Sequence, residues 1–239
     1  MTEAMQPPTY DEVVQQYGIE ILKLNHVAFY AMHRLIDGWR YNAPTLRFLF
    51  DRVFAVKRRH NELAATLLSG EIPSDRLSGS NRPAVFESPG AGFHFELLDA
   101  TAAHALGADA YAWAVVLVLS RLLQAFKVDL HVSWAEWDSS EPLIHGYSIG
   151  AILRASANNF RHSDEWLKNK ECPTDEQLRS IQILAAAFQE PIAPGGANHT
   201  LSRDVCQETL QLLSEGSFDT LGEKFFAFAN SMVKRRIRA

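Results

Sequence analysis

The sequence predicts an all-α protein, a helical bundle of about six to seven helices around one long apolar helix. Apolar residues recur at intervals of three and four along most of the chain. No alternation of strand and helix patterns is present, so a parallel sheet is not expected. With 239 residues, of which 47% are hydrophobic, the chain is long and apolar enough for one sizeable core.

The first nine residues are expected to form a flexible tail. Residues 10–239 are expected to form a single helical domain. The first helix covers 10–36, or is divided into two helices at Gly18. Ala43-Pro44-Thr45 predicts a break, after which a second helix runs to Ser69-Gly70. Residues 71–92 hold three prolines, three glycines and four serines, which predicts a long loop or a hinge.

The central part predicts the core helix. A third helix is expected to start near Asp99 and end near Lys127, and it is apolar nearly all round over 110–126. Such a helix is enclosed by others, so we expect it at the centre of the fold. Short strands at 84–86 and 93–97 stay open as alternatives. No clear period is present over 131–146, which we expect to be irregular.

The C-terminal part predicts four further helices. One runs from Ser148 to about Lys170, and the capping box Thr174–Gln177 opens the next. Residues 191–196 predict a loop. Ser202 and Ser217 are expected to cap the last two helices.

Composition excludes several classes of protein. The net charge of −5, from 28 acidic and 23 basic residues, argues against holding duplex nucleic acid by overall charge, and leaves a local basic patch open. Two cysteines build neither a disulfide framework nor a zinc site. The most apolar stretch, 110–119, is about half of the ~20 residues that span a bilayer. Since no secretory signal precedes it, we expect a cytoplasmic protein without a membrane partner.

One helix carries residues suited to chemistry. With about 100° per residue, Asn158, His162 and Glu165 lie within about 80° of Arg154, and Arg161 lies about 20° to its other side. Arginine and asparagine bind anions, and histidine titrates near neutral pH. An ordinary solvent-facing stripe on an amphipathic helix is the alternative.

The segment Arg154–His162, RASANNFRH, resembles the signature of HEPN domains, a superfamily of small helical bundles. Members carry an arginine and then a histidine near the start of a late helix, often with a polar residue between. Here seven residues separate Arg154 from His162, which is longer than the usual spacing, so the arginine role falls to Arg154 or to Arg161.

The resemblance implies a metal-independent endoribonuclease of a toxin or defence system, without a cofactor, whose active site is composed across a homodimer. RNA is then the substrate, and an antitoxin or regulatory protein is an expected partner. His162 would transfer the proton, an arginine would stabilise the phosphorane, and Asn158 would orient the phosphate or the imidazole. Glu165 either orients His162 or pairs with Arg161, and Trp166 is a candidate for base stacking.

The alternative function is a non-catalytic binding module, in which the same helix is a contact surface and the long spacing marks a lost active site. A carboxylate-bridged metal centre is not expected, since the chain has no Glu-x-x-His sequence. Basic runs such as 57–60 and 234–238 are ordinarily solvated. If they lay beside the polar side of this helix, they would form a basic surface for RNA.

Overall fold

The computed structural model describes residues 6–69, 91–168, 173–191 and 205–238. These residues form eight α-helices: α1 Tyr10–Gln16, α2 His26–Ser69, α3 Ala91–Asp129, α4 Trp134–Asp138, α5 Ile149–Lys168, α6 Asp175–Ala187, α7 Cys206–Ser214 and α8 Phe218–Arg238. A 3-10 turn covers Ile21–Lys23, and a small hairpin pairs β1 Leu143–Ile144 with β2 Tyr147–Ser148. The predicted all-α class is confirmed. Most of 71–92, the strand alternative at 84–86, the loop after Pro191 and the cap at Ser202 lie outside the described residues.

The N-terminal helix is divided at Gly18, which was one of the two predicted arrangements. Thr9 and Glu12 form a capping box that opens α1. Gly18 has φ +62°, a left-handed conformation that glycine adopts without steric cost. The chain therefore leaves α1 here and turns into α2.

The predicted break at Pro44 is wrong, because α2 continues through it. Proline lacks an amide hydrogen and therefore leaves the carbonyl of Arg40 without its helical partner. Trp39 and Ala43 before the proline and Leu46 after it are all buried, which anchors α2 on both sides. Packing along the whole helix outweighs the local cost of one lost hydrogen bond.

Helices α2 and α3 form a long antiparallel pair. Arg34 near the start of α2 bonds Asp129 at the end of α3 at 2.8 Å, and His60 Nδ1 lies 3.1 Å from the Thr101 carbonyl oxygen. The start predicted near Asp99 and the strand alternative at 93–97 are wrong, since α3 already begins at Ala91. Contact with the distal half of α2 allows these additional turns, as the buried Leu97 shows.

The central position of α3 is confirmed. Its residues Ala112, Val115, Val116, Leu119, Leu123 and Phe126 are at most 1% exposed. Besides α2, both α5 and α7 pack against this helix. The enclosure is incomplete, because Ala110 and Ala125 remain exposed on one side.

Within the described residues, Leu97–Asp129 is long and apolar enough to cross a membrane, with a mean hydropathy of 1.5. In this structure 39% of the apolar window is buried inside the protein. Core helices of soluble proteins share this composition, so the property does not separate a membrane span from a central helix.

The segment 131–146 is more regular than predicted. Ser133 and Glu136 form a capping box that opens the short helix α4. The β-hairpin then turns at His145 and Gly146, whose φ angles of 49° and 89° both lie in the left-handed region, as in a type I′ turn. Such short elements hold too few residues for the spacing of apolar residues to repeat, so the sequence pattern does not reveal them.

A pair of glycine substitutions tests the packing around α5. A methyl group at Gly150 would overlap the Trp137 ring, whereas one at Gly107 in α3 meets nothing closer than 3.9 Å. We expect Gly150→Ala to lower the free energy of unfolding by about 1–3 kcal/mol and Gly107→Ala to raise it by about 0.5–1 kcal/mol. Urea denaturation measures both, and equal effects of the two variants would contradict this packing.

Candidate functional site

Helix α5 carries the residues singled out in the sequence. Its start agrees with the prediction, since the Ser148 hydroxyl accepts a hydrogen bond from the Ala151 amide at 3.1 Å. Ile149, Ile152 and Leu153 are fully buried and hold the helix on the core. The opposite side of α5 is therefore free to present polar residues.

A cavity of about 250 Å³ lies between α5 and the start of α6. The residues that line it are Asn158, His162, Glu165, Trp166, Thr174, Glu176, Gln177 and Ser180. The Thr174–Gln177 capping box, as predicted, fixes where α6 begins and so places this wall. Four of the six candidate residues of the sequence share this cavity.

His162 lies where α5 departs from helical geometry, with φ −122° and ψ 17°. Its Nδ1 is 3.1 Å from Glu165 Oε2. The carboxylate accepts a hydrogen bond from Nδ1, and Nε2 takes no part in this contact. Of the two roles considered for Glu165, the structure shows the contact with His162.

Arg154 lies at the edge of the cavity. Its guanidinium is 2.7 Å from Glu176 Oε1 and 3.9 Å from the centre of the Trp134 ring. Because Glu176 lines the cavity, this ion pair connects the arginine to it. The Arg154 side chain is 22% exposed and that of Glu176 is 70% exposed, so the pair is accessible to solvent and to ligands.

Arg161 lies at the α3 edge of the polar side of α5 and is absent from the cavity lining. Burial and the charge of Arg121 on α3 both lower its pKa. The neighbouring Phe160 stacks on Trp113 of α3 with 4.7 Å between ring centres. The structure thus separates the two candidate arginines, Arg154 toward α6 and Arg161 toward α3.

Two groups of contacting residues carry no signal in the sequence that would place them at this site. Glu176 and Gln177 come from α6, and Trp134 comes from α4. The capping box showed where α6 starts, but nothing in the pattern showed that this end packs beside His162. Trp166 is only 6% exposed, so it forms a wall of the cavity and offers little surface for a base.

The cavity wall is acidic. Glu165 and Glu176 line it, and none of its lining residues is lysine or arginine. A phosphate group in the cavity reaches the Arg154 guanidinium by taking the place of Glu176 beside it. Among the described residues no three His, Cys, Asp or Glu side chains are grouped closely enough to hold a metal ion.

Comparisons with family models, with curated proteins and with solved structures return no match to this chain.

Proposed function

We propose that this protein is an HEPN-like, metal-independent endoribonuclease with His162 as its proton-transfer residue. The observation that carries the proposal is the Glu165-oriented imidazole of His162 in a cavity that it shares with Asn158. An imidazole with one nitrogen bonded to a carboxylate and the other outside that contact is suited to general acid–base catalysis.

The reaction is cleavage of the RNA backbone by its own 2′-hydroxyl. His162 takes the proton of that hydroxyl, the 2′-oxygen bonds to phosphorus, and the bond from phosphorus to the 5′-oxygen breaks. A second acid returns a proton to the leaving oxygen, which yields a cyclic phosphate and a 5′-hydroxyl. Arg154 or Arg161 stabilises the charge on the phosphorane. In this scheme Asn158 orients the phosphate or the imidazole.

Arg154 is available for this role because its ion pair is exposed. Exposed ion pairs contribute roughly 0–1 kcal/mol, so a substrate phosphate can replace Glu176 at little cost. The phosphate also accepts two parallel hydrogen bonds from a guanidinium, as a carboxylate does.

Incubation of the protein with a single-stranded RNA in EDTA tests the proposal. We expect cleavage to persist and to leave cyclic phosphate or 3′-phosphate ends, because the route uses the 2′-hydroxyl and no metal. An oligonucleotide with one 2′-deoxy nucleotide at the cleaved position is the control and should stay intact there. Products with 3′-hydroxyl ends, or complete loss of cleavage in EDTA, would contradict this mechanism.

The second acid is the reason to expect a homodimer, in which His162 of each copy serves one groove. Light scattering should then report about twice the chain mass of 26.8 kDa. A strict monomer at micromolar concentration would contradict the composite site, because one cavity holds a single histidine among its lining residues.

We further propose that the enzyme acts in the cytoplasm as the toxic part of a toxin or defence system, held in check by an antitoxin or regulatory protein. Expression in a bacterial host should slow growth, and His162→Ala should restore it. Equal growth inhibition by both proteins would separate toxicity from the proposed chemistry.

A second function, a non-catalytic binding module, is favoured by one observation. The Arg154–Glu176 ion pair occupies the candidate arginine, and the cavity wall holds two carboxylates without a lysine or arginine. Such a surface suits a polar or cationic partner better than a phosphate. Growth and RNA integrity that are indifferent to His162→Ala would support this module.

A further inference from the structure

We propose that single-stranded RNA lies along the seam between α3 and α5, held by Arg121 and Lys127 of α3 and Arg154 and Arg161 of α5. These four residues are called the cationic strip below. The inference rests on the proposed function in taking RNA as the polyanion, and it adds the path of the substrate and two residues, Arg121 and Lys127, outside the α5 motif.

The two helices bring these cations together in order along the seam. Trp113 of α3 stacks on Phe160 of α5, and further along α3 Lys127 meets the N-terminal half of α5 through Trp134. Lys127 Nζ lies 4.0 Å and the Arg154 guanidinium carbon 3.9 Å from the centre of that ring. Arg121 precedes Lys127 by six residues and Arg161 follows Arg154 by seven, which is about 10 Å of helix in each case.

Like charges lie near each other at both ends of the strip. Burial and the charge of Arg154 lower the pKa of Lys127, and burial and the charge of Arg121 lower that of Arg161. Neighbouring cations repel, and a polyanion that binds both relieves the repulsion.

Among the residues that the structure describes, acidic groups compensate one end of the strip and leave the other uncompensated. Arg154 pairs with Glu176, and the charge of Glu136 raises the pKa of Lys127, whose ammonium also donates to the Val132 carbonyl at 2.6 Å. At the other end Arg121 and Arg161 are exposed, and neither forms an ion pair with a described residue. This open end is where we place the first phosphate contact.

The strip leads to the cavity. Arg161 directly precedes His162, and Arg154 contacts the cavity through Glu176. A strand that follows the strip from Arg121 to Arg154 therefore contacts the residue next to His162 and ends at the arginine that pairs with Glu176 of the cavity wall. Lysine and arginine side chains that track a backbone are typical of single-strand binding without sequence preference.

Binding of a fluorescein-labelled 12-nucleotide 2′-O-methyl RNA, which resists 2′-hydroxyl cleavage, tests this path by fluorescence anisotropy. The test variant is the double substitution Arg121→Gln and Arg161→Gln. The control is Lys23→Gln with Arg52→Gln, which removes two exposed cations outside the seam and outside the basic runs at 57–60 and 234–238. Both variants lose two charges. Circular dichroism is used to check that each variant is folded.

We expect the test variant to bind roughly tenfold more weakly at 0.1 M salt and the control to bind within about twofold of the unmodified protein. The slope of log affinity against log salt should become shallower by about 1.4 in the test variant, because each single-strand phosphate contact contributes about 0.7. Unchanged affinity, an equal loss in the control, or no binding by the unmodified protein would overturn the strip.

The outcomes separate this inference from the proposed function. Strip-dependent binding without cleavage of ordinary RNA supports the strip and rejects the nuclease. Cleavage that needs His162 with binding that ignores Arg121 and Arg161 supports the nuclease and rejects the strip. Polyglutamate is the competitor that tests for an acidic protein. If it displaces the labelled RNA as effectively as excess unlabelled RNA does, the strip binds an acidic protein and the proposal is overturned.

Discussion

Replacing Leu119 by aspartate is expected to abolish soluble, cooperative folding. Leu119 is fully buried in the middle of α3, with α2, α5 and α7 packed around that helix. A carboxylate there has neither water nor a partner, and removal of one buried large apolar side chain already costs about 2–5 kcal/mol. Since a typical domain has only about 5–15 kcal/mol of stability, the two effects together exceed what the fold tolerates.

Leu106→Asp is the matched control for this substitution. Leu106 lies in the same helix and the substitution is the same, but this leucine is 72% exposed. We expect its free energy of unfolding to change by about 0.5 kcal/mol or less. Soluble yield and thermal unfolding followed by circular dichroism compare the two variants. A Leu119 variant that unfolds cooperatively near the temperature of the unmodified protein would refute the central position of α3.

His162→Ala is expected to lower the rate of RNA cleavage by roughly 10²-fold or more, the usual scale for a positioned acid or base. The imidazole is 45% exposed, so its removal leaves no cavity in the core and the variant should stay folded. Single-turnover cleavage of a labelled RNA measures the chemical step, and His26→Ala, an exposed histidine on α2, is the control.

Three further variants assign the roles around His162. Glu165→Gln keeps a hydrogen-bond acceptor for the ring but removes the charge, so we expect a loss smaller than that of His162→Ala. Arg154→Ala and Arg161→Ala separate the two arginines, since only the one that contacts the phosphorane should lower the rate as much as His162→Ala. Full activity of the His162 variant would remove the mechanism and favour the binding module.

Local signals in the sequence predicted several boundaries of the structure. The capping box at Thr174 opens α6, Ser148 precedes the first residue of α5, and Ser217 precedes α8, where its hydroxyl accepts from the Thr220 amide at 3.4 Å. These features are set within four residues of chain, so their pattern is visible without knowledge of the fold. The apolar residues of 110–126 likewise predicted the core helix, because burial on several sides needs apolar residues on several sides.

Two boundaries were predicted wrongly because long-range packing decided them. A proline ends most helices, yet α2 passes Pro44, since buried residues before and after it fix both halves against the bundle. The glycines at 90 and 92 predicted a loop, but the first turns of α3 form here beside α2. In both places the energy of a contact distant in sequence exceeded a local preference.

The candidate site divides in the same way. The sequence alone determined which residues share the polar side of α5, because a helix turns by a constant angle per residue, and it determined that these residues include a histidine, an asparagine and two arginines. Only the tertiary structure decided that α6 closes a cavity over His162 and Asn158, that Glu176 pairs with Arg154, and that Arg161 faces Arg121 on α3. These relations join residues from different helices, and the angle and order in which helices pack depend on the whole core.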